Sequence, residues 1–175
     1  MELSEVEPGS VILVERPRML IDHYGIYAGH GEVVHYAPCS DGGTPIIHRA
    51  GIDRFVDHAP GFFVPYMPEN EVDVKMMMYW HSRQRGILQE ITDNLFGMYK
   101  DMKIKVYTAE QTLRRALKRL GETKYDLLGN NCEHFALWCK FKTYISNQVS
   151  RIYEFFKTAL LRLGTQRYHR FVTVR

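Results

Sequence analysis

The sequence has few cysteines, no long apolar run and no low-complexity tract. Three cysteines in 175 residues are too few for a disulfide framework and are typical of reduced thiols in the cytoplasm. No stretch reaches the ~18 uncharged apolar residues that a membrane-spanning helix needs. Residues 1–20 lack the positive and apolar regions of a signal peptide. The length allows one ordinary globular domain with a hydrophobic core.

Charge is distributed unevenly along the chain. Residues 1–99 hold 7 Lys and Arg against 14 Asp and Glu, a net −7, and residues 100–175 hold 16 against 6, a net +10. A basic segment of this kind can face an anionic membrane, a nucleic acid or water. We predict no nucleic-acid partner.

The pattern of apolar residues predicts strands early in the chain and helices late. Strands are predicted over residues 10–15, 22–28, 32–36, 46–48, 72–79 and 102–107, and the second and third of these form a hairpin. This order predicts an α+β fold, in which an antiparallel sheet packs against helices.

Three helices are predicted in the second half. The first begins at the capping-box pair Thr108 and Gln111 and ends near Gly121. Its apolar stripe consists of Leu113, Ala116, Leu117 and Leu120. The second begins near Asn130 and runs through Phe141, and the third spans about 147–163.

His23 and His35 lie on the two strands of the predicted hairpin. If the loop is Gly29-His30-Gly31, with Gly31 in the left-handed region, His35 lies opposite Gly25. His23 is then its diagonal neighbour on the same face, within side-chain reach. If the loop has two residues, His35 lies opposite Ile26 on the other face. The glycine favours the first arrangement.

Cys132 lies in the first turn of the second predicted helix. Free backbone N–H groups and the helix dipole at this position favour the thiolate over the thiol and can hold an oxyanion. A neighbouring histidine would serve as general base and acid. Cys132 as nucleophile, His23 as base and His35 as the residue that orients His23 therefore form a complete catalytic set.

The other histidines and cysteines carry weaker signals. A zinc site of Cys132, His134 and Cys139 lacks the usual paired spacing, so we predict no metal and no cofactor. Cys139 is predicted to be buried, Cys39 to be a spectator, and His134 to cap or pack locally. The remaining histidines are predicted to be surface or loop residues: His30, His48, His58, His81 and His169.

Three segments of the chain resemble the lecithin:retinol acyltransferase family and its small phospholipase A/acyltransferase relatives, which are permuted papain-like (NlpC-type) thiol enzymes. The segments are residues 7–14 (EPGSVILV), 23–38 (HYGIYAGHGEVVHYAP) and 131–135 (NCEHF). The resemblance covers about residues 6–145. It implies a catalytic domain over residues 1–146 with a divergent insert over 60–105, followed by a basic amphipathic helix and tail over 147–175.

The resemblance also implies a reaction. Cys132 would take an acyl chain from a glycerophospholipid as a thioester and pass it to water, an amine or an alcohol, which makes the protein a phospholipase A1/A2 and acyltransferase. Many relatives end in a hydrophobic anchor, whereas residues 147–163 carry Arg151, Glu154, Lys157 and Arg162. Such a helix is typical of peripheral contact with an anionic membrane, so we expect a cytoplasmic, peripherally membrane-associated protein.

Two other functions remain open at this point. The same thiol chemistry would serve a peptidase or amidase of the wider papain-like group. Some viral proteins carry the same histidine and Asn-Cys motifs and are thought to act through host partners, so a non-catalytic interaction protein is the second alternative.

Overall fold

A computed structural model describes residues 2–16, 22–40, 42–74, 104–126, 130–143 and 169–174. These residues form an antiparallel sheet with a few helices, which confirms the α+β class. The strands are β1 (Val11–Val14), β2 (His23–Gly29), β3 (Glu32–Pro38), β4 (Pro45–Gly51), β5 (Gly61–Pro65), β6 (Ile104–Val106), β7 (Phe141–Thr143) and β8 (His169–Thr173). The helices are α1 (Ile52–Val56), α2 (Ala109–Leu117) and α3 (Cys132–Lys140), and Leu3–Glu5 forms a 3-10 turn.

The chain divides into two compact units. The first contains residues 1–66, 107–140 and 168–175, and the second contains residues 67–106 and 141–167. In the first unit, six strands form one sheet in the order β4-β3-β2-β1-β5-β8. In the second unit, β6 and β7 pair as a two-stranded antiparallel ladder, and residues 71–74 are helical. The strand predicted over 72–79 is therefore wrong at residues 72–74, where the side chain of Asn70 caps the turn by accepting from Asp73 N.

The core of the first unit lies between α1 and one face of the large sheet. Its buried members come from β1, β2, β3, α1, β5 and β8, together with Val6: Ile12, Val14, Tyr27, Val33, Ile52, Phe55, Val56, Phe62, Val64 and Val172. Strands β5 and β8 also contribute to this core. β5 lies in the segment 60–105, which was predicted to be a divergent insert. β8 lies in the segment 147–175, which was predicted to be a helix and tail outside the catalytic domain. Helix α3 packs against β2 and β3. The sheet thus supports both α1 and α3.

The β2–β3 hairpin has the expected register but a different loop. His35 lies opposite Gly25, as predicted. The connection is nevertheless a two-residue turn of His30 and Gly31, both with positive φ (52° and 72°), because Gly29 pairs directly with Glu32. A bulge between Tyr27 and Gly29 then shifts the register by one residue. The bulge therefore places His35 opposite Gly25, as the three-residue loop was expected to do.

Helix α2 begins as predicted, with a complete capping box between Thr108 and Gln111. Its apolar stripe is only partly buried. Ala116 is fully buried, whereas Leu117 and Leu120 are 37% and 42% exposed. The second fully buried position on this helix is the polar Thr112, whose hydroxyl donates to Thr108 O at 2.8 Å. Two members of the predicted apolar stripe, Leu117 and Leu120, therefore remain exposed.

Helix α3 begins two residues later than the predicted start at Asn130. Asn130 instead forms an isolated bridge with Asp126. Asn131 Oδ1 accepts from the backbone N–H of His134 at 3.0 Å, so Asn131 caps the helix. The helix ends at Lys140, and Phe141 begins β7. The helix predicted over 147–163 lies outside the described residues. None of the helices in the described ranges combines the length and hydropathy needed to span a membrane.

Candidate active site

The hairpin brings the imidazoles of His23 and His35 together on one face of the sheet. Nε2 of His23 lies 2.8 Å from Nδ1 of His35, and the ring centroids are 5.0 Å apart at an interplanar angle of 69°. Phe55 of α1 packs against both rings, at centroid distances of 5.0 Å and 5.5 Å. Gly25 lies directly opposite His35 and leaves space for this contact. The predicted pairing of the two histidines is therefore present.

Burial keeps both of these rings neutral near pH 7. Desolvation is the largest cause that lowers the pKa of His23 to about 4, followed by the positive charge of Arg16, while Asp57 acts in the opposite direction. Desolvation also lowers the pKa of His35 to about 2, with the His23 and His48 rings as the next causes. His35 is only 2% exposed. A neutral imidazole has one N–H and one lone pair, so each ring can donate once and accept once.

His48 is a third member of this cluster, although it was predicted to be a surface or loop residue. It lies on β4 directly opposite His35, and the two Nε2 atoms are 3.2 Å apart. Its Nδ1 lies 3.1 Å from the carbonyl oxygen of Ile46. The prediction failed because the β3–β4 register could not be derived from the intervening loop. Side chains alternate between the two faces of a strand, so residues that are directly paired lie on the same face. Once β3 and β4 are paired in this register, His48 must lie beside His35.

Cys132 is the first residue of helix α3 and is 5% exposed. Its thiol donates to the carbonyl oxygen of Asp22, with Sγ 3.7 Å from that oxygen. Asp22 directly precedes His23, so the fold brings the thiol from residue 132 to the beginning of β2. The thiol thus contacts the Asp22 carbonyl rather than a ring nitrogen of His23.

The expected lowering of the Cys132 pKa is wrong. Burial raises the pKa of the Cys132 thiol to about 11, and the Glu133 carboxylate raises it further. The backbone N–H groups of Tyr24, Glu133 and Cys132 act in the opposite direction, as expected at a helix N-terminus. Their effect is smaller than the desolvation of a buried thiolate. His23 also cannot contribute a positive charge near pH 7, because its own pKa is lowered.

Arg16 and Asp57 form an ion pair near the histidine cluster. The guanidinium Nη1 lies 2.6 Å from Asp57 Oδ2, and the Arg16 backbone N–H donates to Asp22 Oδ1 at 3.1 Å. The hydrogen bond from Arg16 is the largest cause that lowers the pKa of Asp57. Arg16 lowers the pKa of His23 and Asp57 raises it, so the two charges partly cancel at this ring.

Cys139 and His134 have local structural roles, whereas Cys39 is a surface thiol. Cys139 is fully buried, and burial raises its pKa to about 12. Cys39 is exposed, and all three cysteines are free. The ring of His134 bonds to the side chain of Asn131, with Nδ1 2.9 Å from Oδ1, which confirms its local role. In the described part of the chain, no three His, Cys, Asp or Glu side chains are placed to hold a metal ion.

The sequence is similar to known proteins over most of its length. A family model described as lecithin retinol acyltransferase matches residues 4–145. Lecithin retinol acyltransferase from Bos taurus is 29% identical over 161 residues, covering 87% of this chain and 62% of the relative. The protein of the same name from Rattus norvegicus is 43% identical over 162 residues, with the same coverage. Phospholipase A and acyltransferase 1 from Rattus norvegicus is 28% identical over 145 residues, covering 82% of this chain and 73% of the relative.

The chain therefore spans about 62% of the length of the lecithin retinol acyltransferases that it matches. The matched region contains the His23–His35 hairpin and the Asn131-Cys132 helix start, and an α+β fold with an antiparallel sheet is consistent with this domain. Because the family model covers most of the sequence, the chain belongs to the lecithin retinol acyltransferase family.

Proposed function

We propose that this protein is a thiol-dependent phospholipase A and acyltransferase that carries an acyl chain on Cys132. The names of its relatives support acyl transfer and phospholipid hydrolysis as the reaction class. The observation that carries the proposal is the placement of the Cys132 thiol at Asp22, one residue from the His23–His35 pair. A nucleophile, a base and a group that orients the base are the parts that acyl transfer through a thioester requires.

In the first half-reaction, the substrate is an ester of a glycerophospholipid. The Cys132 thiol transfers its proton to the free lone pair of His23 as Sγ attacks the ester carbonyl carbon. The tetrahedral intermediate collapses, the carbon–oxygen bond to the glycerol breaks, and His23 returns the proton to the leaving oxygen. The products are a lysophospholipid and an acyl thioester on Cys132.

In the second half-reaction, an acceptor O–H or N–H gives its proton to His23 and attacks the thioester carbonyl. The Cys132 sulfur leaves and recovers the proton from His23. Water as acceptor gives a free fatty acid, an amine gives an amide, and an alcohol gives a new ester. Retinol is one alcohol to test, since it occurs in the names of the relatives.

The electrostatics of the site support a proton transfer that accompanies the attack rather than a preformed ion pair. Burial raises the pKa of Cys132 to about 11 and lowers that of His23 to about 4, so thiol and imidazole are both neutral at rest. The oxyanion that forms on the carbonyl oxygen of the ester must be stabilised by hydrogen-bond donors in a site that excludes water. The backbone N–H groups of Tyr24, Cys132 and Glu133, which already favour negative charge on Sγ, are the candidates.

We further propose that residues 147–175 hold the protein peripherally on an anionic membrane on the cytoplasmic side. The net +10 of residues 100–175 supports electrostatic attraction to such a surface, and the three free cysteines are typical of a reducing compartment. Sedimentation with vesicles of phosphatidylcholine and phosphatidylserine should decrease steeply as salt is raised, because exposed charges are screened over about 8–10 Å. Binding that salt does not change would contradict this attachment.

Intact-protein mass spectrometry tests the enzymatic proposal. Incubation with phosphatidylcholine should add the mass of one acyl chain, and peptide mapping should place it on Cys132. Cys132→Ser should remove the thioester adduct, whereas Cys139→Ser, a matched change at the other end of α3, should keep it. Absence of an adduct in the wild type would overturn the proposal. Cleavage of peptide amides without lipid turnover would then favour the amidase alternative. If the protein acts on neither substrate, the result would favour a non-catalytic interaction protein.

A further inference from the structure

His48 connects the histidine pair to the backbone of strand β4. Its ring lies between the His35 ring, at an Nε2–Nε2 distance of 3.2 Å, and the carbonyl oxygen of Ile46, at 3.1 Å from Nδ1. The β3–β4 ladder holds this geometry, because His35 and His48 are directly paired. Three imidazoles and one backbone carbonyl therefore form a continuous hydrogen-bonded chain.

The carbonyl end of this chain determines where the protons lie. A carbonyl oxygen only accepts, so Nδ1 of His48 must carry a hydrogen. When Nδ1–H is the only N–H of this ring, Nε2 of His48 has the lone pair and accepts from Nε2–H of His35. Nδ1 of His35 consequently accepts from Nε2–H of His23. The proton positions follow from the contacts, since the neutral His35 and His23 rings have only one N–H each.

The end of the chain is Nδ1 of His23, which this order leaves without a proton. We propose that His48 is a positioning residue that selects the tautomer of His23 with an unprotonated Nδ1, the nitrogen available to take the proton of Cys132. The inference rests on the proposed function for its catalytic meaning. His48 acts through His35, because its ring nitrogens contact His35 and the carbonyl oxygen of Ile46.

A donor at position 48 would reverse the chain. Nε2 of His35 would have to accept, its Nδ1–H would donate to Nε2 of His23, and Nδ1 of His23 would carry the hydrogen. In that state His23 cannot accept the thiol proton. The hydrogen-bonding character of residue 48, rather than its size, therefore decides whether His23 is a base.

Three substitutions separate these properties. His48→Gln offers an amide oxygen that can accept from Nε2–H of His35, His48→Leu offers neither donor nor acceptor, and His48→Lys offers only donors. His30→Lys is the matched control, because it makes the same change at an exposed turn residue of the neighbouring hairpin. Circular dichroism and thermal unfolding would show which variants keep the fold.

The decisive measurement is the protonation of the ring nitrogens, read from ¹⁵N chemical shifts of labelled histidine in the full chain at pH 7. The wild type and His48→Gln should show Nε2–H tautomers for His23 and His35, and His48→Lys should show Nδ1–H tautomers for both. A wild-type His23 that carries its hydrogen on Nδ1 would overturn the inference. Tautomers in His48→Lys that match the wild type would also overturn it, and His48→Leu, expected to give mixed tautomers, decides the matter if His48→Lys does not fold.

The acylation rate of Cys132 with phosphatidylcholine provides the functional readout. We expect a loss of at most about 10-fold in His48→Gln, about 10-fold to 100-fold in His48→Leu and about 10³-fold or more in His48→Lys, by comparison with triads in which the wrong tautomer is imposed. His30→Lys should acylate at the wild-type rate. Tautomers that follow residue 48 in a protein that forms no adduct would support the positioning by His48 and refute the proposed reaction. Equal rates in the Gln, Leu and Lys variants would overturn the positioning role.

Discussion

Nε2 of His23 lies 2.8 Å from Nδ1 of the buried His35, so the two rings share one hydrogen bond while both are neutral. Because each nitrogen in this contact is occupied by the other ring, the remaining nitrogen of His23 is the one that can act on a thiol. In the proposed mechanism, this contact would make His23 the base and His35 the residue that orients it.

Replacement of the two histidines should have unequal effects on acylation. His23→Ala removes the proposed base and should lower kcat/KM by about 10² to 10⁴, the range typical of general acid–base groups. His35→Gln should lower it by about 10-fold to 100-fold, because the amide oxygen can still accept from His23. Single-turnover acylation of Cys132 measures both. A larger loss in His35→Gln than in His23→Ala would contradict the assigned roles.

The lowered pKa of His23, about 4, predicts an unusual pH dependence of kcat/KM. At pH 5 such a ring is still mostly neutral, so in His48→Gln, where residue 48 cannot gain a proton and become a donor, the rate should be within about 2-fold of that at pH 7. A ring with the ordinary pKa of about 6.5 would lose about 30-fold over the same interval. Initial rates between pH 4.5 and 8, on protein checked for folding at each pH, distinguish the two cases.

The same burial should make the fold sensitive to acid. His23 and His35 are neutral in the folded protein, with pKa values of about 4 and 2, but become charged below about pH 6.5 in the unfolded chain. The unfolded state therefore binds more protons, and the free energy of unfolding decreases as pH falls from 6.5 through 4 and, for His35, toward 2. Each histidine contributes up to about 1.4 kcal/mol per pH unit.

Urea unfolding of the wild type and of His35→Gln at pH 7, 6 and 5 measures this contribution. The variant lacks one of the two histidines, so its free energy of unfolding should decrease by about 1 kcal/mol less per pH unit than that of the wild type. Parallel pH dependences would show that His35 is not held neutral by the fold.

Local sequence signals were sufficient for the elements that carry the site. The hairpin and the shared face of His23 and His35 were predicted correctly, although a two-residue turn and a bulge produce that register instead of the expected loop Gly29-His30-Gly31. The Thr108–Gln111 capping box predicted the start of α2. Cys132 was correctly placed in the first helical turn. In each case the residues that determine the structure are close in sequence.

Features that depend on distant contacts were missed. Strand β5 pairs with β8, which is more than 100 residues later in the chain, and five residues rich in aromatics (GFFVP) have no local pattern that reveals such a partner. His48 joins the cluster only through the β3–β4 register. The thiol pKa was predicted in the wrong direction because the burial of Cys132 depends on the strands below the helix. These are tertiary effects.

Gly25 should be intolerant of a side chain. A Cβ at this position would lie 2.5 Å from Val33 Cγ1, 2.9 Å from Phe55 Cε2 and 3.4 Å from His35 Cβ. Gly25→Ala should therefore lower the free energy of unfolding by about 1–3 kcal/mol, as overpacking does, and displace His35 from His23. Gly51→Ala is the control, because a Cβ there meets no atom within 4 Å and a helix-cap Gly→Ala change costs at most about 1 kcal/mol. Chemical denaturation of both variants tests this, and equal losses would contradict the close packing of Gly25.

Asn131 should affect both stability and acylation, because it caps the helix that begins at Cys132. Its Oδ1 accepts from the His134 N–H, and loss of a side-chain cap costs about 0.5–2 kcal/mol. Thr108→Ala provides a matched comparison, since Thr108 caps α2 by accepting from Gln111 N at 3.2 Å. Both Ala variants should lose similar stability in urea. Only Asn131→Ala should slow acylation, by about 10-fold or more, because fraying of the first turn of α3 moves the sulfur and the N–H groups around it. If Thr108→Ala slows acylation equally, the effect is a general loss of stability rather than a displacement of Cys132.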